Sequence, residues 1–135
     1  MIQGLDHIAV AVADLDKAIE EWGRLTGAIL THREHVKAQN TFVAFMKLGD
    51  FRIELISPDK PDSAVGKFLE KRGPGLHHIA LNTPDGQILL NEFADNGAQL
   101  INATLRPGAE NTMVGFVHPA SLGGVLIEVV EHPKK

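Results

Sequence analysis

The hydrophobic pattern of the first sixty residues predicts a strand, then a helix, and then three more strands. Residues 5–12 alternate as a strand does, with Ile8 and Val10 on one face and His7 and Ala9 on the other. Apolar residues then recur at helical spacing behind Asp14, a residue that suits a helix N-cap. The pattern therefore predicts β-α-β-β-β, with a strand at 5–12, a helix at 15–25, and strands at 28–36, 41–48 and 51–56.

The second half of the chain repeats this order. Strands are predicted at 76–82, 98–105, 112–118 and 125–130, and a helix opens at Thr83-Pro84-Asp85 and stops at Asn96-Gly97. The apolar stripe of that helix is predicted to consist of Ile88, Leu89, Phe93 and Ala94. We expect one domain over residues 1–135, made of module one (about 4–57), a connector with a short helix (58–74), and module two (about 75–131).

Two such modules complete each other. A four-stranded sheet with one helix has a bare face and exposed edges, and a second copy can pair with an edge. We predict an α+β fold in which two β-α-β-β-β modules are related by a pseudo-twofold axis. Their strands would form a curved eight-stranded mixed sheet, an open barrel or cup with the helices outside.

Short strings repeat in register between the modules. GLDHIAV at 4–10 matches GLHHIAL at 75–81, which places His7 on His78 at an offset of 71. Residues 41–47 match residues 112–118 at the same offset. LGDFRIEL at 48–55 matches LGGVLIEV at 122–129, which places Glu54 on Glu128 at an offset of 74. Strand alternation favours His78 over its neighbour His77 as the functional residue, because His77 falls on the helix-packing face.

The repeated residues form a chemically coherent set. Two imidazoles and two carboxylates suit a borderline divalent cation such as Co, Mn, Ni, Zn or Fe(II). A metal with four protein ligands keeps positions for a substrate and can stabilise an enolate, while nearby carboxylates carry protons. A purely structural role, preserved by duplication, is the alternative. His32 and His35 are expected to be solvated. His118 is expected to contact substrate or to support the strand end, and His132 is expected to fray with the tail.

Composition excludes several functions. The 135 residues carry a net charge of −4, which argues against nucleic acid as a partner. Cysteine is absent, so disulfides and thiolate metal sites are excluded, and a cytoplasmic location is compatible. We find no signal-peptide pattern and no apolar run near the roughly 18 residues of a membrane span, so no membrane association is expected.

The paired modules with His7, Glu54, His78 and Glu128 resemble the vicinal oxygen chelate superfamily of glyoxalases, bleomycin resistance proteins and dioxygenases. Longer strings are similar to the methylmalonyl-CoA epimerase family: IELISP at 53–58, KFLEKRG at 67–73, RPGA at 106–109, FVHP at 116–119 and GGVLIE at 123–128. The resemblance implies a metal-dependent isomerase that interconverts (R)- and (S)-methylmalonyl-CoA through a metal-stabilised enolate. It implies His7, Glu54, His78 and Glu128 as metal ligands, Glu128 and Glu54 as catalytic proton carriers, an acyl-CoA substrate and a homodimer.

The resemblance leaves alternatives. Some epimerases carry an acid on the third strand, whereas this chain has Ala44 in that region, so the second base is open. A glyoxalase I-type lactoylglutathione lyase would use the same four ligands. An extradiol-type dioxygenase uses two histidines and one carboxylate, so the second glutamate argues against it. A non-catalytic drug-binding module generally lacks the quartet. Ethylmalonyl-CoA is also a conceivable substrate.

Overall fold

The computed structural model describes residues 1–134, which form eight strands and three α-helices. The strands are β1 (Gly4–Ala11), β2 (Ile29–Val36), β3 (Thr41–Leu48), β4 (Phe51–Pro58), β5 (Gly75–Asn82), β6 (Arg106–Pro107), β7 (Met113–Val117) and β8 (Ile127–Glu131). The helices are α1 (Leu15–Thr26), α2 (Ala64–Arg72) and α3 (Gly86–Asp95). The strands are ordered β2-β3-β4-β1-β5-β8-β7-β6, with parallel and antiparallel pairs. The α+β class and the eight-stranded mixed sheet are confirmed.

The chain divides into two compact units. The first unit comprises His7–His77, and the second comprises Met1–Asp6 together with the residues from His78 onward. Both boundaries fall inside strands, at the beginning of β1 and within β5. Among residues 1–134, every helix is too short or too polar to span a bilayer.

In the first unit, α1 packs on one face of the sheet. Asp14 caps the helix by accepting a hydrogen bond from the Lys17 backbone N–H at 3.0 Å, and Gly27 ends it in the left-handed conformation. Ile8 and Val10 of β1 pack against the core beneath the helix, as the alternation predicted. The core itself consists of Val12, Leu15, Ala18, Ala28, Ala44, Met46, Ile53 and Leu55.

Strand pairing in the first unit determines which residues lie on the sheet face opposite α1. β1 runs parallel to β4 with Ala9 opposite Glu54, and β3 runs antiparallel to β4 with Phe45 opposite Glu54. Because successive residues of a strand point to opposite faces, His7, Glu54 and Phe45 all lie away from α1.

The second unit has the same register. β5 runs parallel to β8 with Ala80 opposite Glu128, and β7 runs antiparallel to β8 with Phe116 opposite Glu128. α3 packs on the other face through Leu89 and Leu90, against Val117, Ile127 and Val129. The two units therefore place a histidine, a glutamate and a phenylalanine in equivalent strand positions.

The predicted strand at 98–105 is wrong. In that stretch a single bridge joins Leu100 to Val117, and the sixth strand is Arg106–Pro107, between the strands predicted at 98–105 and 112–118. The backbone of Gln99, Ile101 and Asn102 still bonds to β7 and the residue after it, and side chains take further backbone groups of this stretch. Gln87 bonds the Ala103 carbonyl and the Leu105 N–H, and Asn102 accepts from the Phe116 N–H.

Three smaller predictions about the second half also need correction. Pro84 lies outside α3, because Asp85 is the N-cap and accepts from the Ile88 N–H. Ile88 is 52% exposed, and Leu90 takes the buried position in the stripe. The tail does not fray at His132, whose Nε2 lies 2.5 Å from Oδ1 of Asp6.

Candidate metal and active site

The first histidine–glutamate pair is buried in the first unit. Nε2 of His7 lies 3.2 Å from Oε1 of Glu54. His7 is 4% exposed and Glu54 is 7% exposed. The parallel pairing that sets Ala9 opposite Glu54 brings the carboxylate beside the face of β1 that carries His7. Alanine at that position leaves the carboxylate room to reach the imidazole.

The second pair repeats this geometry in the second unit. Nε2 of His78 lies 3.1 Å from Oε1 of Glu128. His78 is 6% exposed and Glu128 is 5% exposed, and Ala80 stands opposite the glutamate. Two independent structural accidents would have to match in partner, atom and distance to give this agreement. The internal repeat therefore preserves the contact between histidine and glutamate as well as the residue types.

An edge-to-face contact with a phenylalanine supports each histidine, and neither phenylalanine was predicted from the sequence. The rings of His7 and Phe45 meet at 5.2 Å and 83°, and those of His78 and Phe116 at 5.3 Å and 84°. Both contacts are T-shaped and hold the imidazole plane in one orientation. The signal was present in the match of residues 41–47 to residues 112–118, which aligns the two phenylalanines at the offset of 71.

The four predicted residues offer their ligand atoms to one small volume. One donor atom from each of His7, Glu54, His78 and Glu128 lies within 4.8 Å of the others. Two atoms that bind one metal at about 2.1 Å each can be at most roughly 4.2 Å apart, so the donors need to move little to bind one ion. Buried carboxylates need compensating positive charge, which a divalent cation supplies. The residues therefore fit a borderline divalent metal.

The other histidines lie in different settings. His77 packs against Phe68 of α2 at 4.8 Å, which confirms that it belongs to the helix-packing side. His118 Nδ1 accepts from the Ala120 N–H, so it supports the turn after β7. His32 and His35 are partly solvated, as expected, with side chains 35% and 36% exposed, and each also has a carboxylate partner, Glu34 at 2.7 Å and Asp59 at 2.8 Å.

The third strand lacks an acid on the face that carries the glutamate. Ala44, which the sequence analysis compared with the acidic position of some epimerases, belongs to the core beneath α1. Alternation places Val43 and Phe45 on the other face of β3, with Phe45 opposite Glu54. A base from this strand is therefore absent on the face that matters, and Glu54 is the acidic group beside it.

Known proteins share both the pattern and the fold. Residues 6–116 match the model of the Glyoxalase/Bleomycin resistance protein/Dioxygenase superfamily. The ethylmalonyl-CoA/methylmalonyl-CoA epimerase of Cereibacter sphaeroides is 30% identical over 131 residues, which cover 96% of this chain and 98% of that relative. Among solved structures, methylmalonyl-CoA epimerase from Mycobacterium tuberculosis is 38% identical with a TM-score of 0.94, over 98% of this chain and 90% of that one. A methylmalonyl-CoA epimerase in complex with methylmalonyl-CoA and NH4+ is 33% identical with a TM-score of 0.94, over 98% and 96% of the two chains.

The fold and the histidine–glutamate pairs define a member of the glyoxalase, bleomycin resistance protein and dioxygenase superfamily, whose model matches most of the chain. Sequence identity and the covered share of each chain narrow the assignment from the superfamily to one family. Within that superfamily, the chain belongs to the methylmalonyl-CoA epimerase family.

Proposed function

We propose that the protein interconverts (R)- and (S)-methylmalonyl-CoA by removing the α-proton and returning it to the opposite face. The observation that carries this proposal is the convergence of two buried imidazoles and two buried carboxylates within 4.8 Å. The solved relative that holds methylmalonyl-CoA, 33% identical over nearly the whole chain, supports the choice of substrate.

His7, Glu54, His78 and Glu128 would hold the divalent cation, for which Co, Mn, Ni and Zn are the candidates. A cation bound there supplies a Lewis acid for the negative charge that develops on the substrate oxygens when the α-proton leaves. The phenylalanine edges keep each imidazole aimed at its carboxylate. Burial of the four side chains keeps bulk water from the acidified carbon.

Glu128 is the proposed proton carrier, with Glu54 as its counterpart in the repeat. A carboxylate has two oxygens, so one can serve a cation while the other accepts a proton. The α-proton passes to the ionised Glu128 carboxylate, and Glu54, which is protonated when the reaction runs in this direction, donates its proton to the opposite face of the α-carbon. Both carboxylates start beside an imidazole at 3.1–3.2 Å, which gives each the same local setting for either direction of the reaction.

Deuterium exchange tests this proposal directly. Metal-reconstituted protein and (2S)-methylmalonyl-CoA in D2O should give an α-deuterated product together with epimerisation, followed by NMR and mass spectrometry. Glu128→Gln should lower the rate at least a hundredfold. Glu20→Gln changes an exposed glutamate that pairs with Arg24 on α1, away from the quartet, and it should leave the rate unchanged.

Absence of exchange with Co, Mn, Ni and Zn alike would reject the epimerase. A parallel assay with methylglyoxal and glutathione tests the lyase alternative, and turnover there without exchange on the CoA ester would replace our proposal. Near-full activity of Glu128→Gln would reject the assignment of the proton carrier while leaving the reaction in place.

Three finer expectations accompany the proposal. We propose a homodimer, which light scattering on the purified chain will measure, and a cytoplasmic location, which fractionation of cells will measure. Acceptance of ethylmalonyl-CoA as well as methylmalonyl-CoA follows from the relative named for both substrates, and rates on the two esters will test it.

A further inference from the structure

The internal repeat is broken at one charged position beside the site. Arg52 lies two residues before Glu54 in β4, and the repeat places Leu126 at the equivalent position, two residues before Glu128. Lys47, the cross-strand neighbour of Arg52, corresponds to His118 in the repeat, and the His118 ring accepts a hydrogen bond from the Ala120 N–H in a turn. At this position, the half of the site around Glu54 therefore carries a cation where the other half carries a leucine.

Stacking positions the Arg52 guanidinium. Its central carbon lies 4.1 Å from the centre of the Phe45 ring, and the same ring meets His7 edge-on at 5.2 Å. Phe45 also stands directly opposite Glu54. A guanidinium stacked on an aromatic face loses less conformational freedom when it binds an anion than a free side chain does. Arg52 is thus a preorganised cation next to the His7–Glu54 pair.

The substrate proposed above has two different ends around its α-carbon, and this inference rests on that proposed function. One end is a free carboxylate and the other is the thioester that carries coenzyme A. Two equivalent histidine–glutamate pairs cannot distinguish these ends by themselves. Charge also matters, because a substrate carboxylate adds a negative charge to a buried site that already contains two glutamates.

We propose that Arg52 binds the free carboxylate of the substrate and so determines which end of the acyl group lies against the His7–Glu54 pair. The guanidinium fork matches a carboxylate through two parallel N–H donors. Leu126 gives no such contact, so the thioester end lies toward Glu128. Arg52 is then a specificity residue for acyl groups that carry a carboxylate.

Calorimetric binding of two CoA esters to the metal-loaded protein tests the contact. Malonyl-CoA has the free carboxylate and acetyl-CoA lacks it. Arg52→Leu, the residue of the repeat, and Arg52→Gln should weaken malonyl-CoA binding about tenfold and leave acetyl-CoA binding unchanged. Arg52→Lys keeps the charge without the fork and should fall between. Arg24→Leu removes an exposed arginine paired with Glu20 on α1 and should change neither.

Equal losses for both esters would overturn the proposal, because they would indicate a contact with coenzyme A or a disturbed fold. Unchanged malonyl-CoA binding in both neutral variants, with full metal content, would overturn it as well. The proposed function has a separate outcome. Wild type that prefers malonyl-CoA through Arg52, yet gives no α-deuteration, would reject epimerisation and keep the carboxylate contact.

Discussion

Removal of divalent metal should lower the melting temperature of the protein by about 10 °C. The four donors are 4–7% exposed and lie within 4.8 Å of one another, so the folded chain presents a nearly assembled site. The unfolded chain separates the first and last of these donors widely and binds weakly. Metal therefore stabilises the folded state by mass action.

The size of the shift follows from that linkage. Free metal at a hundred times its dissociation constant adds about 2.7 kcal/mol to the free energy of unfolding. For a chain of this length, each kcal/mol moves the midpoint by roughly 3–5 °C, which gives about 10 °C. The donor atoms lie within 4.8 Å of one another, close to the upper limit of roughly 4.2 Å for two atoms on one ion, so a large opposing rearrangement is unnecessary.

Scanning fluorimetry on EDTA-treated protein, retitrated with each metal, measures the shift, and plasma mass spectrometry measures one ion per chain. His7→Ala, Glu54→Gln, His78→Ala and Glu128→Gln should each lose most of the increment. His35→Ala is the matched control, because the exposed His35 pairs with Asp59 away from the quartet. A wild type that no metal stabilises, or a control that loses as much as the four variants, would refute the reasoning.

Two further predictions concern stability away from the metal, each measured by urea denaturation. Gly66→Ala should destabilise by about 2 kcal/mol, because its Cβ would lie 2.3 Å from the Pro61 carbonyl oxygen. Gly23→Ala, where the nearest contact is an ordinary 3.4 Å, should stabilise by up to about 1 kcal/mol, and effects of the same sign in both helices would contradict the packing. His132→Ala should cost about 1 kcal/mol by removing one hydrogen-bond partner of the buried Asp6 carboxylate, whereas no change would mean that the tail frays.

Sequence alone predicted the helices and strands whose ends are marked by local capping or turn residues. α1 has Asp14 before it and Gly27 after it, and both act as the pattern indicated. The sixth strand could not be predicted in this way. Residues 98–105 alternate well enough, but Gln87 and Asn102 supply hydrogen bonds that compete with strand pairing. Those contacts join residues 14–18 positions apart, and no local pattern encodes them.

The site was predictable as far as the repeat reached. His7 with His78 and Glu54 with Glu128 emerged because both members of each pair sit in matching strings. The phenylalanines that orient the imidazoles needed the pairing of β3 with β4, which sets Phe45 opposite Glu54. Strand order is a tertiary property, so alternation within one strand could not supply it.

Equivalent histidines are 71 residues apart and equivalent glutamates are 74 apart, and this change of offset shows that the repeat preserves strand register. Phe45 and Glu54 are joined through a tight turn at Gly49-Asp50, while Phe116 and Glu128 are joined through a short 3-10 helix, Pro119–Leu122, and are three residues further apart in sequence. Both phenylalanines nevertheless stand opposite their glutamates. A one-residue slip in either pair would turn the glutamate toward the helix. The three added residues are therefore absorbed in the connection, and the register that aims each carboxylate at its histidine is unchanged.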